Sequence, residues 1–165
     1  MDERIQLKTG DKAPDFSVPG CDGEAVGLRD FLDASLGRGL VLYFYPKDNT
    51  AGCTLEAQGF RDHLADFEAL GYAVAGVSRD SVKSHCGFQD RQNLNFPLLA
   101  DKDEAVCTAY GVMKEKRMYG KLCRGIERST FVISPEGTIL HALYGVKAKT
   151  HVDDLLALLR VFASR

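Results

Sequence analysis

The chain has 165 residues, of which 45% are hydrophobic and 27% charged, and a formal charge of −2 at neutral pH. A chain of this length buries a core without disulfide or metal staples, and so balanced a charge leaves no electrostatic footprint for nucleic acid or an anionic membrane. The longest apolar run, residues 40–45, is far too short to span a bilayer. The charged opening stretch 1–8 contains no apolar segment of the kind a secretory leader needs. Five cysteines at irregular spacing do not describe a secreted disulfide framework, so reduced thiols in a cytoplasm are expected.

In chain order, 14–18 and 24–27 flank a Pro- and Gly-containing turn and read as a β-hairpin. A short helix is expected over 28–32. The run 39–45 is apolar at successive positions, the mark of a strand covered on both faces. Residues 54–70 place Leu55, Phe60, Leu64, Phe67 and Leu70 on an approximate helical stripe that stops at Gly71. A second buried strand is expected over 72–78, and a helix capped by Asp80 or Ser81 over the residues up to Asn93. A short strand at 96–100 and a short helix at 103–110 follow, with 121–125 read as a loop. Residues 129–134 and 138–144 form a hairpin around Pro135 and Gly137. An amphipathic helix at 152–162, with Leu155, Leu158, Leu159 and Phe162 on one face, closes the chain. Strands alternating with helices, then a hairpin and a helix, predict an α/β fold: a central mixed β-sheet flanked by helices, with an N-terminal β-hairpin. No repeat or linker-like stretch interrupts 1–165, which reads as one domain.

The string YPKDNTAGCTLEA at 45–57 carries the most chemistry. An apolar strand ends at Pro46, a polar turn follows, and Cys53 arrives where a helical pattern begins. There the thiol meets unpaired backbone N–H groups and the positive end of a helix, which favour the thiolate, the reactive form of cysteine.

The order of elements and this string together resemble the thioredoxin-like fold and, within it, the peroxiredoxins, in particular the bacterioferritin-comigratory (PrxQ) subfamily. Pro46, Thr50 and Cys53 match the family motif, and GVSRD at 76–80, Phe96 and Pro97, YGV at 110–112 and GIERSTF at 125–131 follow in register. The resemblance implies a peroxidase that reduces hydrogen peroxide and organic hydroperoxides without metal, haem, flavin or other cofactor. In such chemistry Cys53 attacks one peroxide oxygen while negative charge spreads along S–O–O. Arg128 supplies a permanently charged fork of donors and favours the thiolate. Thr50 donates its hydroxyl to one peroxide oxygen and accepts from another group, the N–H groups of Gly52 and Cys53 add donors, and Pro46 walls the site. The resemblance gives Glu56 the task of orienting Arg128; its bare position equally suits a charge complementing the helix dipole.

Attack leaves a sulfenic acid that must condense with a second thiol or be over-oxidised. One form of the subfamily places that thiol where this chain has Gln58, and another places it on the following helix at the position of Gln89. Cys86 lies one helical turn before Gln89, about 4.5 Å of rise away, and is expected to resolve Cys53 as an intramolecular disulfide. Cys123 and an external thiol remain alternatives, Cys107 reads as buried, and Cys21 in the hairpin turn reads as incidental. The resemblance further implies thioredoxin, or glutaredoxin, as reductant, and a cytoplasmic monomer. A thioredoxin-type reductase would need Cys at the position of Thr50 or Glu56. The cysteines and histidines lack paired zinc-ligand spacing, so no metal is expected and the histidines read as surface or helix-end residues. No phosphate-binding glycine motif appears. A peroxide sensor that switches once without turnover is the non-enzymatic reading of the same cysteine.

Overall fold

The structure, a computed structural model, describes residues 5–34 and 37–163. The first residues of the charged 1–8 stretch and the end of the chain at Arg165 lie outside them. A short hairpin, β1 (Ser17–Pro19) and β2 (Ala25–Gly27), leads into α1 (Leu28–Ala34). Strand β3 (Gly39–Phe44) is followed by α2 (Ala51–Asp62), α3 (Leu64–Ala69) and β4 (Tyr72–Ser78). Then come α4 (Val82–Gln92), β5 (Leu98–Ala100) and α5 (Ala105–Ala109). Two hairpins, β6 (Met113–Met118) with β7 (Lys121–Ile126) and β8 (Ser129–Ile133) with β9 (Ile139–Tyr144), precede α6 (His151–Ala163).

The central sheet has the order β5-β4-β3-β8-β9; β3, β4 and β5 run parallel, and β8 and β9 pair antiparallel. Its mixed pairing and the helices on both faces are those expected. Every residue of β3 is buried because alternate side chains feed two separate cores. Leu40, Leu42 and Phe44 pack toward α1 and α5, while Val41, Tyr43 and Tyr45 pack toward α2, α3, α4 and α6. Cys53 belongs to the second core.

The structure departs from the sequence expectations in several places. The helix expected over 54–70 is two, α2 and α3, separated at His63. The loop expected at 121–125 is strand β7, paired with β6 along its whole length. Arg128 sits in the two-residue connection between β7 and β8, just before the strand expected at 129–134. In α6 the buried face is Val152, Leu155, Leu156 and Leu159, whereas Leu158 is 36% exposed. His85 and His151 are buried, not at the surface, although His151 does stand at a helix end, the start of α6.

Close packing fixes how α2 is seated. A Cβ on Gly59 would lie 3.0 Å from Val152 Cγ2, so the glycine lets α2 lie tightly against α6. At the other end, a Cβ on Gly52 would approach Arg128 Nη2 to 3.2 Å and the Ala148 side chain to 3.5 Å.

Candidate active site

Strand β3 delivers the chain through Tyr45 and exposed Pro46 into a turn in which Asn49 takes a positive φ of 63°. Thr50 is the N-cap of α2, with extended backbone and no capping bond from its side chain. Its hydroxyl instead donates to the Lys47 carbonyl at 2.9 Å, which pins the turn. Cys53 falls in the first helical turn and is 1% exposed, so its sulfur meets the helix N-terminus in a nearly dry setting.

Arg128 reaches this turn from the connection that enters β8, the strand paired with β3 on the side away from β4. Its Nη2 lies 3.5 Å from Cys53 Sγ and its Nη1 donates to Glu56 Oε1 at 2.7 Å. Glu56 is one turn beyond Cys53 on α2 and fully buried. Its other carboxylate oxygen has no hydrogen-bond partner among the described residues. One guanidinium therefore joins sulfur and carboxylate, and the carboxylate fixes the plane in which the fork faces the sulfur. Burial works against the charge on Arg128, but Glu56 and Cys53 more than offset it and hold its protonation firmer than usual. Burial pushes Glu56 from 4.5 up to about 7, only partly countered by Arg128.

A carboxyl group whose folded value is raised contributes stability at pH below its unfolded value and loses it as pH climbs through the folded value. The wild-type protein is expected to lose on the order of 3 kcal/mol between pH 4.5 and 7.5 relative to Glu56→Gln. Urea unfolding of both proteins across that range measures it. Parallel stability curves would remove the burial argument.

Tyr43, on β3, is buried beside this group. Burial first, and then the negative charges of Glu56 and Cys53, push its phenol well above the ordinary value. His151 packs nearby with Nε2 at 2.7 Å from Thr130 Oγ1, and burial lowers it to about 4, so it is neutral at physiological pH. Neither residue stands out in the sequence, where a tyrosine in an apolar strand and a lone histidine carry no site signal.

A second polar cluster ties the Cys53 turn to α4. Asp48 accepts from Tyr45 Oη at 2.6 Å and Ser84 Oγ at 2.8 Å, and meets His85 Nδ1 at 2.7 Å. His85 Nε2 faces the Leu99 carbonyl at 2.9 Å, and Asp80 accepts from the Asp48 N–H and Ser78 Oγ. Asp48, Asp80 and His85 thus lie close enough to hold a cation, but their atoms are engaged by the chain's own groups. The cluster is a buried polar strut.

Cys86 is turned away from this core. The buried face of α4 carries His85 and Phe88, and Cys86, half-buried, is joined by a disulfide to Cys21 in the β1–β2 loop, with Cα atoms 5.2 Å apart. This corrects the expectation of reduced thiols and of an incidental Cys21. Cys53, Cys107 and Cys123 are free. Cys107 is buried as expected, its thiol pushed far up by burial and then by Asp101. Cys123 is half-buried on β7. The structure thus brings Cys53, Glu56 and Arg128 together, sets Thr50 and Pro46 in the adjoining turn, and holds Cys86 on another partner.

A thiol at a helix start under a guanidinium, on a mixed sheet of this topology, defines a cysteine-based redox protein of the thioredoxin-like class. Comparison with known proteins narrows the class. Residues 9–142 match the AhpC/TSA family. Peroxiredoxin Bcp of Xanthomonas campestris pv. campestris is 50% identical over 139 residues, covering 84% of this chain and 87% of the relative. Peroxiredoxin Bcp of Escherichia coli K12 is 41% identical over 157 residues, covering 95% and 98%. A solved structure of the Xanthomonas campestris bacterioferritin comigratory protein superposes with a TM-score of 0.83 at 43% identity, covering 98% and 99% of the two chains. The chain belongs to the AhpC/TSA family and, within it, to the Bcp/PrxQ peroxiredoxins. It is a thiol peroxidase, acting on peroxide with a thiol as the source of electrons.

Proposed function

We propose that Cys53 is the peroxidatic residue, that Cys86 resolves it, and that a thioredoxin-type dithiol returns the protein to its reduced state. The observation that carries the reading is the guanidinium of Arg128 shared between Cys53 Sγ and Glu56. The Cys53 thiolate attacks one oxygen of ROOH; the S–O bond forms as the O–O bond breaks, and the alkoxide takes a proton to leave as ROH. Arg128 Nη2 and the N–H groups opening α2 face the charge that develops. Thr50, whose own hydrogen goes to Lys47, has lone pairs left to accept the peroxide O–H. Pro46 contributes a wall without an N–H, and Glu56 positions Arg128. Cys86 then attacks the sulfenic sulfur; S–S forms and water leaves.

The Xanthomonas protein's structure is described in terms of alkyl peroxide reduction, and organic hydroperoxides as well as hydrogen peroxide fit a site built around the cationic fork of Arg128. We read residues 1–165 as one domain working as a cytoplasmic monomer. Among the described residues no helix is long and apolar enough to cross a membrane.

A second reading draws on Cys86 being bonded to Cys21: an external thiol resolves Cys53 directly. Two measurements discriminate. Sustained NADPH-linked peroxide consumption with thioredoxin and its reductase is expected; a single stoichiometric oxidation would instead make the protein a sensor. After one equivalent of peroxide on the fully reduced protein, a Cys53–Cys86 linked peptide is expected among rapidly quenched products. Its absence at every time would leave the external thiol.

A further inference from the structure

We propose that Cys21 is a third working thiol, which takes Cys86 over from a transient Cys53–Cys86 disulfide and carries the oxidation from the buried site to the surface. The inference rests on the reading of Cys86 as the thiol that resolves Cys53. Cys53 is 1% exposed, a setting that admits a small peroxide and excludes the thiol of a protein reductant. Cys21 lies in an exposed loop and Cys86 is half-buried, so a bond between them presents sulfur where a protein dithiol can reach.

The two disulfides share Cys86, so one becomes the other in a single exchange. Cys21 thiolate attacks the Cys86 sulfur, the Cys21–Cys86 bond forms, the Cys53–Cys86 bond breaks, and Cys53 leaves as thiolate. Arg128 at 3.5 Å from Cys53 Sγ stabilises that leaving group, which is what drives exchange in this direction. Over the cycle the peroxide is reduced by two electrons, Cys21 and Cys86 are oxidised by two, and Cys53 returns unchanged to attack again.

The fold favours the second bond over the first. Cys53 is packed in the second core and Cys86 lies off the buried face of α4, so a bond between them works against the strut that His85 and Ser84 make with Asp48. With Cys86 on Cys21, α4 is intact and the strut is made. Gly87, beside Cys86, has nothing packed where a side chain would be, so this turn is lightly held on its outer side.

The test is one equivalent of hydrogen peroxide added to fully reduced protein, with acid quench, alkylation and peptide mapping over time. The wild type is expected to show Cys53–Cys86 early, then Cys21–Cys86 with Cys53 free for alkylation. Cys21→Ser is expected to stop at Cys53–Cys86 and to turn over with thioredoxin at least about ten-fold more slowly. If the wild type also stops at Cys53–Cys86 and Cys21→Ser turns over as fast, the relay is overturned while Cys86 keeps its role. If Cys53–Cys86 forms in neither protein, the reading of Cys86 fails first and takes the relay with it.

Discussion

Cys53→Ser is expected to abolish peroxide turnover, with a loss of more than about 10⁴-fold, the scale on which removing a nucleophile acts. The swap is nearly isosteric, and the buried hydroxyl still meets Arg128. What disappears is the anion: a serine hydroxyl stays protonated beside a guanidinium that would stabilise a thiolate, and among the described residues the side-chain partner at this position is that donor, not a base. Thioredoxin-coupled NADPH oxidation measures the outcome, with thermal unfolding as the check that the fold survives. Residual turnover above about one part in a hundred would mean that another thiol attacks peroxide, and the geometry built around Cys53 would lose its chemical meaning.

Changing Arg128 is expected to have the next largest effect, and two variants separate its roles. Arg128→Ala removes the donor beside sulfur and strands the carboxylate of Glu56, which is fully buried. The first loss is expected to lower kcat/KM by roughly 10²- to 10³-fold, as for one oxyanion-stabilising donor. Burial already holds Glu56 at about 7, so it answers the second loss by taking up a proton, and the expected cost at neutral pH is about 1–2 kcal/mol, growing as pH rises. Adding Glu56→Gln to Arg128→Ala should recover most of the stability and none of the rate. Arg128→Lys keeps the charge but cannot bridge carboxylate and sulfur with one planar fork, so it should keep much of the stability and lose most of the rate. Full activity in Arg128→Lys would reduce the residue to a bare positive charge.

Much of this was legible in the residues because the relevant signals are local. The run 39–45 announces a strand buried on both faces, and the two cores divide its side chains as alternation requires. Ser81 accepts from the Ser84 N–H and caps α4, and Asn93 ends it in a left-handed conformation with φ 51°, both within reach of sequence rules. Cys53 and Glu56 share a helix face by spacing alone. Their meeting with Arg128 came from the family resemblance, since nothing local links positions so far apart.

The missed features have physical reasons. Hairpin β6–β7 lacks the half-buried alternation that marks a strand, since Lys114, Glu115, Arg117 and Leu122 are all exposed. Its signal is the turn instead: Tyr119 and Gly120 both take positive φ, 53° and 76°, as a two-residue hairpin loop demands. The division of α2 from α3 is invisible because the break is one residue long: His63 leaves the helical region, with φ −106° and ψ 9°, yet its N–H still bonds to the Gly59 carbonyl. Buried His85 and His151 look like any polar residues until their partners Asp48 and Thr130 are brought up by other elements. The Cys21–Cys86 pair depends on the hairpin folding over the edge of the sheet at β5, a contact no local pattern encodes.

That pair also closes a ring in the chain. Its ends are separated by 65 residues, and the ring encloses β3, α2 and β4, with Cys53 inside it. An unfolded chain tied in this way has fewer shapes to explore, which by loop-closure entropy favours the folded form by about 4 kcal/mol. By the same reciprocity, the folded protein holds the bond more tightly than an unfolded one does. A reductant that opens it delivers electrons and at the same moment releases the chain, so in the proposed relay the least rigid form comes after Cys53 has already been freed, not before.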